Sequence, residues 1–365
     1  MANVFDYLDW RGDLTFEQAP CNEIDSLIFS LISYVDFDGI VPSAEEGGDI
    51  SLLDAARAYV RQHRGKPAYV GLIVPPEVVS LMAKAAKSKR FGALRMSAYE
   101  NRVEDEVQMQ FCAMTYTDAE GDHCVAFRGT DDTLVGWKEN LNMCFLHPVP
   151  AQLRAREYLE EQMARLDGDF IVCGHSKGGN LAVYASVTCD ARYGERIFAV
   201  YNNDGPGFTK EFISDTAYLE MRERIRALVP QSSVVGMLLE HEENYEVIKS
   251  TQTGLLQHNA FSWEVLGARF IHLDALTAES RRIDRTVKKW VGDMTPEERE
   301  AFVESLYETL RATNAKTLTD LNADKLSLVR AWNGLSPESR ALVRKCIMLL
   351  ITDGAKASKQ PKGGV

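Results

Sequence analysis

No stretch of this 365-residue chain approaches the ~20 consecutive apolar residues that a membrane helix needs, so no membrane span is expected. The opening Met1-Ala2-Asn3-Val4-Phe5-Asp6-Tyr7 lacks a basic region followed by an apolar run, which predicts no signal peptide. A basic excess is missing too: 41 Lys and Arg stand against 53 Asp and Glu, a formal net charge of −12. Binding a phosphate backbone requires a positive surface, so nucleic acid is not an expected partner. The acidic excess is spread along the chain and reads as solubility. Cysteine is sparse and odd in number: Cys21, Cys112, Cys124, Cys144, Cys173, Cys189 and Cys346, most of them in apolar runs. No Cys or His pair has zinc spacing. The expectation is buried free thiols in a cytoplasmic protein, with neither a disulfide framework nor a metal. What remains, 45% hydrophobic and 26% charged residues, suits one large domain plus an appendage.

No internal repeat is visible. Residues 22–100 read as mostly helical, with loops near Gly47-Gly48 and Pro75-Pro76. Val107 to Thr117 and His123 to Arg128 alternate as strands joined by a turn at Glu120-Gly121-Asp122. Pro150 to Leu166 is helical, with Leu153, Tyr158, Leu159 and Met163 on one face. Asp169 to Cys173 is a continuous apolar run, the signature of a strand buried on both faces, and Gly178 to Val187 has the small apolar residues of a packed helix. Arg196 to Asn202 holds another buried strand; Ser233 to Leu239 and Tyr245 to Lys249 predict two more. Strands alternating with helices imply an α/β fold with a mostly parallel central sheet and helices on both faces. From residue 262 onward the signals are helical. Thr295-Pro296-Glu297-Glu298 and Ser336-Pro337-Glu338 both look like helix starts, the second leading to a helix ending near Ile351. The chain is therefore divided into a core over 1–275, a helical region over 276–352 and a disordered tail over 353–365.

The strongest local signal is Gly174-His175-Ser176-Lys177-Gly178-Gly179-Asn180, a G-x-S-x-G sequence between a buried strand and a small-residue helix. A nucleophilic serine must sit on a tight, strained turn that lifts its oxygen off the sheet. Gly174 and Gly178 remove side chains that would collide there. The helix that follows turns its free N–H groups toward the serine, and the N–H of Lys177 is the first expected donor to an oxyanion. His175 is read as a packed neighbour, not a base. A charged side chain at Lys177 would favour a polar or anionic substrate if it faced the site, but simple solvation is its plainer reading. A strand-end loop beside the elbow must supply the second donor, and Thr130, after Val125-Ala126-Phe127-Arg128-Gly129, is in that place.

Val-Ala-Phe-Arg-Gly-Thr, then Trp137, then Gly-His-Ser-x-Gly-Gly resembles the class 3 (fungal-type) lipases. In that family the residue after Arg-Gly supplies an oxyanion N–H, which by resemblance falls on Thr130. A closer resemblance runs through Asn3 to Leu8, Phe127 to Asp131, Gly136 to Asn140, Asn203-Asp204-Gly205-Pro206-Gly207-Phe208 and Gln257 to Trp263. These segments look like the Mbeg-like family, a bacterial family with a domain of unknown function grouped with lipase-like α/β hydrolases. The resemblance implies the α/β-hydrolase fold and a catalytic triad, and no substrate.

The triad in that fold runs Ser, then acid, then His. Three histidines follow Ser176. His272 lies in the apolar run Phe270-Ile271-His272-Leu273 and reads as structural. His241, flanked by Glu240, Glu242 and Glu243, is the second candidate for the base. His258 follows a strand and Gly254, precedes Phe261-Ser262-Trp263, matches the family motif and is the first candidate. For the acid, Asp204 ends the strand over Ile197 to Tyr201, at a carboxyl edge from which it can reach the base. Class 3 lipases usually place the acid one strand later, but Pro230 to Gly236 here contains none. Asp204 is therefore preferred, with Glu240 and Glu243 open, although Asn-Asp-Gly-Pro is also ordinary turn chemistry.

The expected activity is serine-dependent cleavage of an ester, thioester or amide of a small acyl substrate through an acyl-enzyme on Ser176, with no cofactor. An acyltransferase using the same intermediate and a non-catalytic binding module on the same fold are the alternatives.

Overall fold

The computed structural model describes residues 1–63, 74–143, 147–239, 245–313, 315–317, 319–320, 332–334, 337 and 340–341. Its central sheet has nine strands in the spatial order β1-β2-β3-β4-β5-β6-β7-β8-β11. They are β1 (Ile50–Ser51), β2 (Arg95–Glu104), β3 (Met109–Thr117), β4 (His123–Phe127), β5 (Phe170–His175), β6 (Ile197–Asn203), β7 (Ile225–Pro230), β8 (Glu246–Ile248) and β11 (His272–Leu273). Between β8 and β11, β9 (Val265–Leu266) and β10 (Arg269–Phe270) form a separate small hairpin. The strands from β4 to β8 are parallel. β1, β2, β3 and β4 pair antiparallel with one another in that order, and β11 closes the far edge antiparallel to β8. The chain thus has the α/β fold expected, with its parallel strands at the centre.

Helices cover both faces. On one lie α1 (Val4–Arg11), α2 (Glu23–Ile32), α3 (Leu52–Gln62) and α4 (Glu77–Ala85), whose apolar side chains join those of Met114, Tyr116, Cys173 and Trp263 in one core. The segment Asn3 to Leu8 earns its place here. Asn3 caps α1, and Tyr7 donates to Asp25 inside a fully buried Asp25–Arg90 ion pair. On the other face, α6 (Pro150–Arg165) and α7 (Lys177–Thr188) pack with Phe111, Phe127, Phe170 and Val172. α5 (Leu134–Asn142) connects β4 to α6 and carries Trp137, Lys138, Glu139 and Asn140.

The hairpin of β3 and β4, the buried strands β5 and β6 and the flanking helices lie where the pattern placed them. Four expectations need correction. β1 and the first half of β2 fall inside the stretch read as helical, β2 because a register shift between Ser97 and Glu100, with Ala98 at φ 52°, breaks its alternation. Ser233 to Leu239 is not a strand but a turn with a short 3₁₀ segment at Val235–Met237; the strand is β7, just before it. Ser233 and Gly236 both donate to Asp204, which bends the chain out of the sheet. After residue 262 come β9, β10 and β11 before any helix, with Gly267 at φ 64° turning the small hairpin. Leu153 points outward, while Ala151, Ala155, Tyr158, Leu159 and Met163 form the buried face of α6.

Helices follow at Ala278–Gly292 and Pro296–Arg311. Thr295 caps the second with a full capping box, as its sequence predicted. That helix packs against α5: Lys138 pairs with Glu304 at 2.6 Å and lies over the ring of Tyr307. The helix expected after Ser336 and the tail over 353–365 lie outside the described residues, apart from isolated positions. No described helix is long and apolar enough to cross a membrane.

Candidate active site

Ser176 stands at the step from β5 into α7 with φ 57° and ψ −133°, a backbone region that L-residues avoid. A Cβ on Gly174 would strike the carbonyl of Gly178, and one on Gly178 would strike the carbonyl of Phe127. The elbow can approach β4 only because neither position has a side chain. The turn is pinned to the neighbouring strand: Ser176 N–H donates to Asn203 O at 2.9 Å, and Gly179 N–H closes back on Ser176 O at 2.9 Å. Lys177 and Gly178 open α7, so their N–H groups have no acceptor within the helix.

Thr130 follows β4 and is buried at 7% exposure, its hydroxyl accepting from Asn140 Nδ2 on α5. Thr130, Ser176, Lys177 and His258 all line one cavity of about 740 Å³. Its walls are mostly apolar, with Leu31, Val74, Leu141, Met143, Val235 and Leu238 inside. Trp137 and Leu256, 38% and 65% exposed, belong to the same lining and present apolar surface to solvent.

The side chain of Lys177 requires a correction. It is neither solvated nor turned to a substrate: it is fully buried and donates to Glu139 Oε2 at 2.8 Å and Gln110 O at 2.6 Å. Glu139 also accepts from the N–H groups of Gln110 and Ala151, which satisfies both its oxygens. The ion pair ties the residue after Ser176 to α5, the helix whose Asn140 holds Thr130. Only its backbone N–H is left for an oxyanion.

Asp204 and His258 meet. His258 Nδ1 donates to Asp204 Oδ2 at 2.6 Å, across 54 residues of sequence. The other carboxylate oxygen accepts from the Ser233 hydroxyl and, at 3.2 Å, from Gly236 N–H. Asp204 is 1% exposed and has φ 53°, the left-handed turn that its Asn-Asp-Gly-Pro setting allows. Asn180 fixes the rest of that loop by donating to the carbonyls of Pro206 and Gly207. The family-like segment Asn203 to Phe208 is thus the mount of the carboxylate. His241, Glu240 and Glu243 lie outside the described residues. His272 is exposed on β11 between Glu23 and Glu246, away from the cavity lining.

His175 is the packed neighbour that its sequence position predicts, and its partner Tyr34 carries no sequence signal. His175 is buried, with Nδ1 3.1 Å from the Tyr34 hydroxyl and Nε2 3.0 Å from the carbonyl of His258. Burial pushes its pKa well below the usual histidine value, and the neighbouring His258 adds to the shift. Its position beside the serine was the one sequence signal available. The five cysteines within the described residues, Cys21, Cys112, Cys124, Cys173 and Cys189, are all free.

No curated protein and no solved structure matches the chain. A model of the Mbeg1-like family matches residues 85–308, from the end of α4 into the helix that packs on α5. That match takes in the elbow, Thr130, Asp204 and His258 and covers more than half of the sequence, and the chain belongs to the Mbeg1-like family.

Proposed function

We propose that the chain is a serine hydrolase that cleaves an ester, thioester or amide of an apolar acyl group through an acyl-enzyme on Ser176. The observation that carries this reading is the 2.6 Å bond from His258 Nδ1 to the buried carboxylate of Asp204, in a cavity shared with the strained Ser176. A structural histidine needs no such partner, and a binding surface needs no serine in a forbidden backbone region.

The steps follow from the chemistry of these groups. Asp204 fixes the proton on Nδ1, which leaves Nε2 of His258 as the basic nitrogen. Nε2 takes the proton of Ser176 as Oγ attacks the acyl carbonyl. The N–H groups of Thr130 and Lys177 receive the charge that develops on the carbonyl oxygen. His258 then gives the proton to the leaving group, and water, activated by the same imidazole, releases the acid. The apolar walls and the exposed Trp137 and Leu256 suit an apolar acyl chain. Free thiols among the described cysteines support work in the cytoplasm, where thiols stay reduced.

The test is labelling with a fluorophosphonate together with turnover of p-nitrophenyl acyl esters. The wild type is expected to label at Ser176 and to hydrolyse the esters. Ser176→Ala should lose labelling and about 10³-fold or more of kcat while keeping its circular dichroism. Equal turnover in a folded Ser176→Ala variant overturns the reading.

A further inference from the structure

We infer that His175 and Tyr34 are a positioning pair for His258, an inference that rests on the hydrolase reading above. Both nitrogens of His175 are engaged at once, which settles its tautomer. The His258 carbonyl can only accept, so Nε2 of His175, 3.0 Å away, carries the proton. Nδ1 is then the acceptor for the Tyr34 hydroxyl at 3.1 Å. Tyr34 is itself buried, and burial pushes its phenol above the ordinary tyrosine value, so the hydroxyl stays a donor. The same hydroxyl packs against Gly129, where a Cβ would collide with it. One chain of contacts therefore joins the oxyanion loop at Gly129, the α2-side wall at Tyr34, the elbow at His175 and the backbone of the base at His258.

The rings add to this. His175 and His258 lie 4.7 Å apart at 30°, and the Trp263 ring flanks His175 at 6.2 Å. During acyl transfer His258 becomes an imidazolium. A second cation at that distance would oppose it, so the neighbour has to be a histidine that remains neutral. His175 meets that demand by burial and by having both nitrogens satisfied. It donates to the main chain of His258, so it governs where the imidazole stands without touching the reacting atoms.

Three variants test the inference. His175→Phe keeps the ring and removes both hydrogen bonds. His175→Gln keeps an N–H donor for the His258 carbonyl. Tyr34→Phe removes the donor to Nδ1. With a p-nitrophenyl ester, His175→Phe should lower kcat about tenfold or more, with KM within about twofold, because the lost bond orients the base and holds no substrate. His175→Gln should recover most of that loss, and Tyr34→Phe should fall between. A second readout needs no turnover: the downfield proton of His258 Nδ1, held by Asp204, should be sharp in the wild type and the Gln variant and broadened in His175→Phe. Folded His175→Phe and Tyr34→Phe variants with wild-type kcat and a sharp resonance overturn the inference while ester turnover leaves the hydrolase reading intact. If the wild type cleaves no ester, the hydrolase reading fails. The resonance then decides alone whether His175 holds the imidazole. If His175→Phe does not fold, the Tyr34→Phe and His175→Gln comparison gives the same two outcomes.

Discussion

Asp204→Asn is the substitution that separates catalysis from architecture most cleanly. Asp204 has φ 53°, and asparagine adopts that left-handed conformation about as readily as aspartate, so the turn is kept. The carboxamide then has two orientations. With its oxygen toward Ser233 and Gly236, both native donors stay satisfied, and its NH₂ group faces Nδ1 of His258. The imidazole must then move its proton to Nε2 and cannot accept one from Ser176. In the reverse orientation the NH₂ group faces the Gly236 N–H, two donors head to head in a site only 1% exposed. A buried N–H left without its acceptor costs about 1–3 kcal/mol, more than the intrinsic preference between imidazole tautomers, so the first orientation wins. The expected result is a protein that folds, labels slowly and has lost on the order of 10⁴-fold in kcat near neutral pH, as wrong-tautomer substitutions of this kind do. That factor corresponds to about 5.4 kcal/mol of barrier. The assay is p-nitrophenyl ester hydrolysis at pH 7 and again near pH 10, where another base assists and the deficit should shrink. A folded Asp204→Asn protein within about tenfold of wild-type kcat at pH 7, beside an inactive Ser176→Ala, refutes the assignment of Asp204 as the acid.

Lys177→Met should destabilise the protein by about 3–5 kcal/mol in urea unfolding, because it strands the Glu139 carboxylate at zero exposure, and adding Glu139→Gln should restore part of the loss. Trp137→Ala should lower kcat/KM for long-chain p-nitrophenyl esters about tenfold while sparing the acetate ester, since its exposed ring lines the cavity that holds Ser176. Below about pH 6.5 the unfolded chain protonates residue 175 and the native chain does not. The folded pKa of His175 is depressed, so stability is present above the unfolded value and is lost as pH falls through it. His175→Gln should therefore remove up to ~1.4 kcal/mol per pH unit from the slope of stability between pH 6.5 and pH 5, read from urea midpoints.

The parts of the site that were legible in the sequence are those in which neighbouring residues carry the physics. Gly174 to Gly179 after a buried strand, Gly129-Thr130 after another, and Asp204 at a strand end each act through the local backbone. His258 was reachable by order along the chain and by its family-like surroundings. What sequence did not disclose depends on partners far away. Nothing near Lys177 announces that its ammonium is matched by Glu139, 38 residues earlier, so solvation was the natural reading of a lysine. Tyr34 and His175 are 141 residues apart. The fold was misread for related reasons. β2 hides behind a bulge, Ser233 to Gly236 gives up strand geometry to serve Asp204, and the six residues Val265 to Phe270 are too short for helix and strand periods to differ.

Two residues in the left-handed region, Ser176 at φ 57° and Asp204 at φ 53°, stand at the carboxyl ends of the adjacent parallel strands β5 and β6. Register makes them equivalent: His175 pairs with Asn203, and the next residue of each strand is the strained one. Each such residue costs on the order of 1–3 kcal/mol unless its surroundings impose it. Here the backbone of each is held by the next strand over, Ser176 N–H by Asn203 O at 2.9 Å and Asp204 N–H by Leu228 O at 2.8 Å. Amide side chains complete the hold. Asn203 donates to Gly174 O below the serine, Asn202 accepts from Gly205 N–H, and Asn180 reaches the carbonyls of Pro206 and Gly207. These asparagines are buried; Asn180 and Asn202 each donate and accept, and Asn203 donates. A carboxylate could not donate, and an aliphatic residue could do neither. The strain at Ser176 and the strain at Asp204 are thus contained by one set of buried amides, so that loosening the mount of Asp204 should also loosen the elbow of Ser176.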